Sequence, residues 1–546
     1  DVKPADVQIK LQEHDRFWED QRPEQEALKD IYETRFFSIP DRSADQIQVQ
    51  TSDAFGYIEG IIGQLYARNP ACVIRSGMRA LGDVEVAQTV SNGFLAEECR
   101  EAISHGTRLA LIHPMSFIKL VPRDTEDPYK KVLPVAVPPW EVIVDKDAPT
   151  WEESRYVGHA YWESLTSVKA KFGNNRKWLA RRRMPYFKRD RYENEDRTSM
   201  PAAMATKFDE YVRMVEFYDF EEGRLYFWTP DIQGDLRFLA DEEIPVRDWD
   251  GRHLSTIVPL YFSSLPHRPM QGYSALRRIY DQLYEKNIVR SFQASAVRKA
   301  ARQYLVRSGA LDEENQGYMR SGVDGLFIEV DLDPGESLAE QIMPVPHTPL
   351  PAETSRYVSE VMDDQYTSTN QDPFSRGQGL GGRASAAEVA ALVSYSSSQL
   401  GHLARKRDAT IEEIVRVYLA TLATFVDDKT VPIDIKGAPV RPTPADLLGD
   451  FRVFAEDEGQ TPVSEAMRKQ QFLMNVPTLQ ALGADPKFLL EQAATMLGFD
   501  DIPLAPPPEP PPGAAGPMDA GAPPPDIQSA VSTASPDDIA AMMGSV

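Results

Sequence analysis

The stretch RGQGLGGRASAAE, residues 376–388, decides how the fold is read. Gly377, Gly379, Gly381 and Gly382 lie between Arg376 and Arg383. Glycine loses more conformational freedom on ordering than any other residue, so this loop is expected to move when no partner holds it. Ser385 and Glu388 then form an S-x-x-E capping box, which starts a helix expected over about 385–425 and interrupted at Gly401. Upstream, 273–303 is a long helical segment, with no Gly or Pro before Gly309. A β-rich insert follows, with strands expected at 304–307, 326–330 and 338–343, and a second helix over 353–365 returns from it. The order is helix, β insert, helix, mobile loop, long helix.

The loop formally matches G-x-G-x-x-G through Gly377, Gly379 and Gly382. A dinucleotide site needs a strand before that motif and a βαβ unit around it. Here a helix leads in and Pro373 sits just upstream, so no cofactor is expected. No G-x-x-x-x-G-K-[ST] occurs, so the chain carries no P-loop. The eight histidines (His14, His105, His113, His159, His253, His267, His347 and His402) are scattered without H-x-x-x-H spacing, and the acidic residues form no recognisable metal loop. No catalytic residue and no metal site is expected. A nuclease site assembled from distant carboxylates is the enzymatic alternative.

At 546 residues the chain is long enough for several packed units, since single cores rarely grow beyond roughly 250–300 residues. No apolar run reaches the roughly 20 residues a membrane-spanning helix needs. The first residues, Asp1-Val-Lys-Pro, lack the apolar core of a signal peptide. Cys72 and Cys99 alone make no disulfide framework, which fits assembly in a reducing cytoplasm. The net charge of −24 argues against a generic nucleic-acid coat. It leaves room for local basic surfaces, because fields decay over about 8 Å at physiological salt.

In chain order, residues 7–36 read as a polar, exposed helix, 52–67 as a second helix ended by Asn69-Pro70, and 72–75 as a short strand. A helix is expected over 83–104. From Val132 the pattern turns to β, with strands at 132–137, 141–144, 156–162, 211–218, 224–228 and 257–262. After the long helix come strands at 431–435 and 451–454, then short helices within 461–499. The Pro-, Ala- and Gly-rich segment 503–525 is expected to be disordered or extended, because it cannot bury enough apolar surface to offset the entropy of ordering.

Two basic runs stand out in this acidic chain. Between Lys169 and Arg191 lie Lys169, Lys171, Arg176, Lys177, Arg181, Arg182, Arg183, Lys188, Arg189 and Arg191, with Asp190 the only acid. That pattern suits a solvated surface, or contact with DNA or an acidic neighbouring subunit. The helix over 273–303 carries Arg277, Arg278, Lys286, Arg290, Arg298, Lys299 and Arg302 against Asp281 and Glu285, and Arg307 continues the run. Leu276, Ile279, Leu283, Val289, Phe292 and Ala296 supply an apolar stripe for packing.

The order of elements across 272–425 resembles the portal (head-to-tail connector) proteins of tailed double-stranded DNA phages, most of all those of short-tailed phages. Arg383-Ala-Ser-Ala-Ala-Glu388 is similar to the family's basic-x-Thr/Ser-Ala-x-Glu helix start. Pro138-Pro-Trp-Glu-Val-Ile-Val-Asp145 resembles a strand-and-turn feature of portal wings. The resemblance covers about 51–499 and implies an α+β, ring-forming subunit with an α/β wing, helical stem, small β-rich clip, long kinked wing helix and helical crown. By it, 1–50 is an N-terminal helical arm, 51–269 the first part of the wing, 270–303 the first stem helix and 304–350 the clip. Residues 351–370 form the second stem helix, 371–384 the tunnel loop, 385–459 the long helix and second part of the wing, 460–501 the crown, and 502–546 a Pro-rich tail.

The resemblance also implies function. Such proteins form a twelve-subunit ring at one capsid vertex, the channel for DNA packaging and ejection, assembled in the host cytoplasm and carried in the virion. The implied partners are other copies of the chain, double-stranded DNA of any sequence, the terminase large subunit, a tail adaptor or head-completion protein, and the major capsid and scaffolding proteins, with no membrane. Arg376, Gly377, Gly379, Gly381, Gly382 and Arg383 become the tunnel loop beside the DNA. Arg290, Arg298, Lys299, Arg302 and Arg307 become the basic lining of stem and clip, and Gly401 the helix kink. A minor capsid or scaffold protein without a pore is the structural alternative.

Overall fold

A computed structural model describes residues 2–40, 46–66, 69–173 apart from 78, 80 and 81, 211–230, 237–300 apart from 266 and 267, 304–306, 342–344, 352–368, 386–455 apart from 436, and a few single positions. The chain is α+β and divides into two compact units, Asp1–Ala466 and Met467–Val546. Nearly all of the second unit lies outside the described residues, and with it the expected crown helices and Pro-rich tail.

The first helix, α1, spans Pro4–Tyr32. It is not the exposed helix its polar composition suggests, because Val7, Leu11, Leu28 and Ile31 are all buried. Next come α2 (Asp53–Leu65) and β1 (Cys72–Ser76). Helix α3 (Val84–Phe94) starts where the Asp83 carboxylate accepts the N–H groups of Glu85 and Val86. It runs through a π turn, Leu95–Cys99, into α4 (Arg100–Ile112), eight residues beyond the expected end at Ser104.

The β region follows: β2 (Ser116–Pro122), β3 (Val132–Val137), β4 (Val142–Val144) and β5 (Tyr156–Ser164). A short helix, α5 (Leu165–Phe172), precedes β6 (Tyr211–Asp219), β7 (Arg224–Trp228), β8 (Ala240–Glu243) and β9 (Ile257–Leu260). Strands β4 to β8 make a five-stranded antiparallel meander, and β2 sits between β3 and β9 in a three-stranded sheet. Successive side chains of a strand face opposite ways. Val215 and Phe217 of β6 accordingly join Val7 and Leu11 of α1 in one core, while Tyr218 joins Phe117 of β2 in another. Helix α1 therefore covers one face of the meander.

A β-hairpin, β10 (Ser264–Leu265) with β11 (Arg268–Gly272), corrects the expectation that helix begins near residue 270. Gly272 lies so close to Pro114 that a Cβ there would sit 1.5 Å from the Pro114 carbonyl oxygen. Ser274 then donates from its hydroxyl to the Ile112 carbonyl at 2.6 Å, and the Ala275 N–H reaches the Leu111 carbonyl at 3.0 Å. These bonds hold the chain against the end of α4, so a 3-10 turn (Leu276–Arg278) comes before α6 (Tyr280–Ala300). Strands β12 (Tyr304–Val306) and β13 (Ile342–Pro344) pair antiparallel, with Leu305 opposite Met343. The expected strand at 326–330 lies outside the described residues. Helix α7 spans Ala352–Ser368.

Helix α8 (Ala386–Phe425) is continuous through Gly401, so the interruption expected there does not occur. One glycine costs a helix only about 1 kcal/mol relative to alanine, too little to break one packed along its second half. Ile411, Ile414, Val415, Tyr418 and Leu422 are buried, and the Tyr418 ring stacks on Phe94 at 3.8 Å. The buried Arg407 guanidinium donates to the Leu65 carbonyl, the last residue of α2, and to Asp408. After α8 come β14 (Ile433–Ile435), β15 (Ala438–Val440), a single turn α9 (Pro444–Leu447) and β16 (Phe451–Ala455). Strand β16 pairs with β1, Cys72 opposite Ala455, bringing distant parts of the unit together.

Candidate functional site

The expected loop residues Arg376, Gly377, Gly379, Gly381, Gly382 and Arg383 lie outside the described residues, as do Arg302 and Arg307. Arg298 and Lys299 fall in the last turn of α6, and their side chains are likewise outside the description. Of the expected channel cations, Arg290 alone has a described side chain, and it is exposed on α6. The other cations of this segment serve its own chain. Lys286 is buried and pairs with Asp53 of α2 at 2.7 Å. Arg277 lies 3.6 Å from Glu24 of α1, and Arg278 packs over the Tyr273 ring and donates to Ser263 at 3.3 Å. In the 169–191 run, Lys171 of α5 pairs with Glu163 at 2.5 Å, and residues 174–191 lie outside the described set.

Helix α6 changes character along its length. Leu276, Ile279 and Leu283 enter the main core. Beyond Leu283, the buried side chains described on α6 are all polar: Lys286, Asn287 and Ser291. The expected apolar stripe does not continue inward, since Phe292 is 61 % exposed.

An extended segment, residues 46–51, lies along this polar face. The N–H groups of Ile47, Val49 and Thr51 donate to Ser295 Oγ (2.8 Å), Ser291 Oγ (2.8 Å) and Asn287 Oδ1 (3.1 Å). The two serine hydroxyls also contact the carbonyls of Ile47 and Val49. The match is geometric. Two residues of extended chain advance about 6.6 Å, and four helical residues about 6.0 Å, so every second N–H meets a side chain one turn along. The device recurs where Cys72 and Ile74 of β1 donate to Asn92 and Gln88 of α3. Nothing in the sequence marks these ladders, because isolated Ser and Asn on a helix read as solvent-facing. Asn287→Ala and Ser291→Ala are each expected to cost about 1 kcal/mol. In hydrogen-exchange measurements both should speed exchange at the amides of Ile47, Val49 and Thr51.

Helix α7 packs on α6, with Val358 and Val361 buried, and the Tyr357 hydroxyl donates to Glu285. The β12–β13 pair continues from these helices. Together they form a helix–strand–strand–helix element. Large apolar groups on it face outward: Ile288, Phe292, Val297 and Tyr357 are each at least 44 % exposed. Ile288 and Phe292 lie one turn apart on α6. Val297 is five residues past Phe292, about 140° around the helix. Apolar surface is therefore uncovered on two sides of α6.

A second polar cluster joins the two sheets. Lys119 Nζ of β2 donates to Glu216 Oε2 at 2.6 Å and to His159 Nδ1 at 3.0 Å. The Tyr218 hydroxyl donates to Glu216 Oε1 at 2.5 Å and contacts Thr256 Oγ1 at 3.0 Å. His159 Nε2 lies 3.7 Å from a Glu141 oxygen. Burial pushes His159 down, and the neighbouring Lys119 ammonium adds to it. Burial pushes Glu216 up, but Lys119 and the Tyr218 hydrogen bond outweigh it and hold the carboxyl below its usual range. Lys119, His159, Glu216, Tyr218 and Thr256 are all buried, and of their side-chain nitrogens and oxygens only His159 Nε2 lacks a hydrogen-bond partner, so the cluster clasps β2 to β5 and β6. Residues 119, 159 and 216 are too far apart in sequence for any spacing rule to unite them.

Among the described residues no group of three His, Cys, Asp or Glu side chains could hold a metal ion, and no helix is long and apolar enough to cross a membrane. No family model matches the chain, and no curated protein matches it.

Proposed function

We propose that this chain is the subunit of a phage portal ring: a dodecamer at one capsid vertex that passes DNA inward during packaging and outward at ejection. The observation that carries this reading is the helix–strand–strand–helix element of α6, β12, β13 and α7, with uncovered Ile288 and Phe292 on one side of α6 and Val297 on another. A subunit in a closed ring has a neighbour on each side, and an element with apolar groups on two sides suits that place. The order of the elements, and the glycine-rich stretch that leads into α8, support the same reading. The ring's partners would be the terminase large subunit, a tail adaptor or head-completion protein, and the capsid and scaffolding proteins, and its place would be the virion.

The charge distribution gives a mechanism for sliding. Contacts from Lys and Arg to phosphate do not depend on sequence, and many at once would give tight, salt-sensitive binding. An acidic ring with sparse cations at Arg290, Arg298, Lys299, Arg302 and Arg307, and at Arg376 and Arg383 of the tunnel loop, guides the duplex without trapping it. Negative-stain images of the purified protein should show rings with a central opening of about duplex width; monomers, or closed particles without an axial hole, would overturn the reading. Charge reversal at Arg298, Lys299 and Arg302 should leave the rings intact and reduce the amount or retention of packaged DNA. Normal genome length and stability in that variant would remove these residues from the channel.

A further inference from the structure

Two buried histidines hold α1 against the body. His14, on α1, has Nε2 2.9 Å from the Trp140 carbonyl oxygen. His113, which ends α4, has Nδ1 2.8 Å from Oε1 of Gln25, also on α1. Both partners are carbonyl oxygens, so each imidazole donates an N–H there. The two sites share Trp140, through its carbonyl at His14 and its indole at His113. The His113 ring meets Trp140 edge-on at 4.9 Å, and Trp18 of α1 meets it at 6.4 Å. Each histidine is only 5 % exposed.

The charges around them do not favour an imidazolium. His14 faces Asp15, Arg213 and Lys146. Asp15 is already held by both terminal nitrogens of Arg213, at 2.5 and 2.6 Å, and Lys146 sits over the Phe17 ring. His113 faces Lys29, which lies 3.8 Å from Glu33. Further along α1, Lys10 pairs with Glu13 and Glu24 lies by Arg277. No carboxylate hydrogen-bonds to either ring among the described contacts.

We propose that α1 is an acid-released arm, latched by neutral His14 and His113 and freed when both take up a proton. Release would uncover the face of the meander formed by Val215, Phe217, Tyr226 and Trp228. Burial, acting against the charged form, pushes both histidines from 6.5 down to about 4. With the arm released and both rings in water, they regain ordinary values. Docking is therefore at full strength above pH 6.5 and weakens as pH falls toward 4. With two such groups, docking at pH 5 should be weaker than at neutral pH by on the order of a thousandfold. The proposal does not depend on ring formation.

Hydrogen exchange on the full chain tests it, with rates corrected for the intrinsic effect of pH. The amides of α1 should lose protection between pH 7.5 and pH 5, while those of α8 and β5–β7 keep theirs. In the double variant His14→Gln and His113→Gln, the side-chain amides still donate but do not titrate, and α1 should stay protected at pH 5. Equal α1 protection at both pH values in the wild type, or an unchanged pH response in the double variant, would overturn the latch. Should the double variant misfold, NMR titration of the wild-type histidines decides. Both rings titrating near 6.5 while α1 remains docked would exclude the proposal, and titration well below that, together with loss of α1 protection, would support it.

Discussion

Lys119→Ala should cost about 3–5 kcal/mol of folding stability, the usual penalty for removing one partner of a buried ion pair. The ammonium bridges Glu216 and His159 at 2.6 and 3.0 Å, with side-chain exposures near a tenth on both sides of the Lys–Glu pair. Without it Glu216 must either stay charged in an apolar junction or take up a proton. Lys119→Met with Glu216→Met should be far closer to the wild type, because it removes both charges and keeps the volume. Urea unfolding of the three proteins separates the cases. The pH dependence has a definite sign. Glu216 has a depressed pKa in the folded chain, so its contribution is present above the ordinary carboxylate range and is lost as pH falls through the folded value. The Lys119→Ala variant should lack that acid-side loss. A cost below about 1 kcal/mol for Lys119→Ala would mean that water or a neighbouring cation replaces the ammonium.

Much of the fold was legible because local pattern set it. Strands β3 and β7 lie where alternation and turn residues put them, and α2, α7 and α8 begin and end within a few residues of the expected positions. The misreadings share a cause: long-range contact overrode local composition. Helix α1 looks solvated because only four well-spaced apolar residues reach a core, yet those four meet two different cores. The start of α6 was misplaced because bonds to the end of α4, invisible in sequence, hold 273–275 out of helical register. The stripe on α6 was read as one apolar face, but half of it is replaced inward by Asn287, Ser291 and Ser295, whose role depends on a segment some 240 positions away. The cations from Arg277 to Arg302 read as one basic run, although Lys286 is spent on Asp53 inside the chain. The acid β8 edge, Ala240–Glu243, was missed because its charges mask a strand that pairs on one side only.

Phe292→Asp together with Ile288→Asp should abolish assembly while leaving the subunit folded. Both side chains are at least 46 % exposed on α6 and contribute little to their own chain's core, so the stability of the isolated subunit should change by less than about 0.5 kcal/mol per site. In a ring these groups would be covered. Burying one such side chain is worth roughly 1.5–3 kcal/mol, and an aspartate in the same place adds the cost of desolvating a charge. A closed ring repeats each contact at every interface, so a loss tolerable in a dimer multiplies around the circle. Sedimentation velocity should show the wild type as a single large species and the double variant as monomer, with matching far-UV circular dichroism and matching urea midpoints. Arg290→Glu, next to this surface and equally a charge change, should leave the large species in place and so separates apolar contact from net charge. If the double variant still forms rings, α6 is not the element that meets the neighbour, and the assignment of α6 and α7 as a stem fails even though the α+β fold stands.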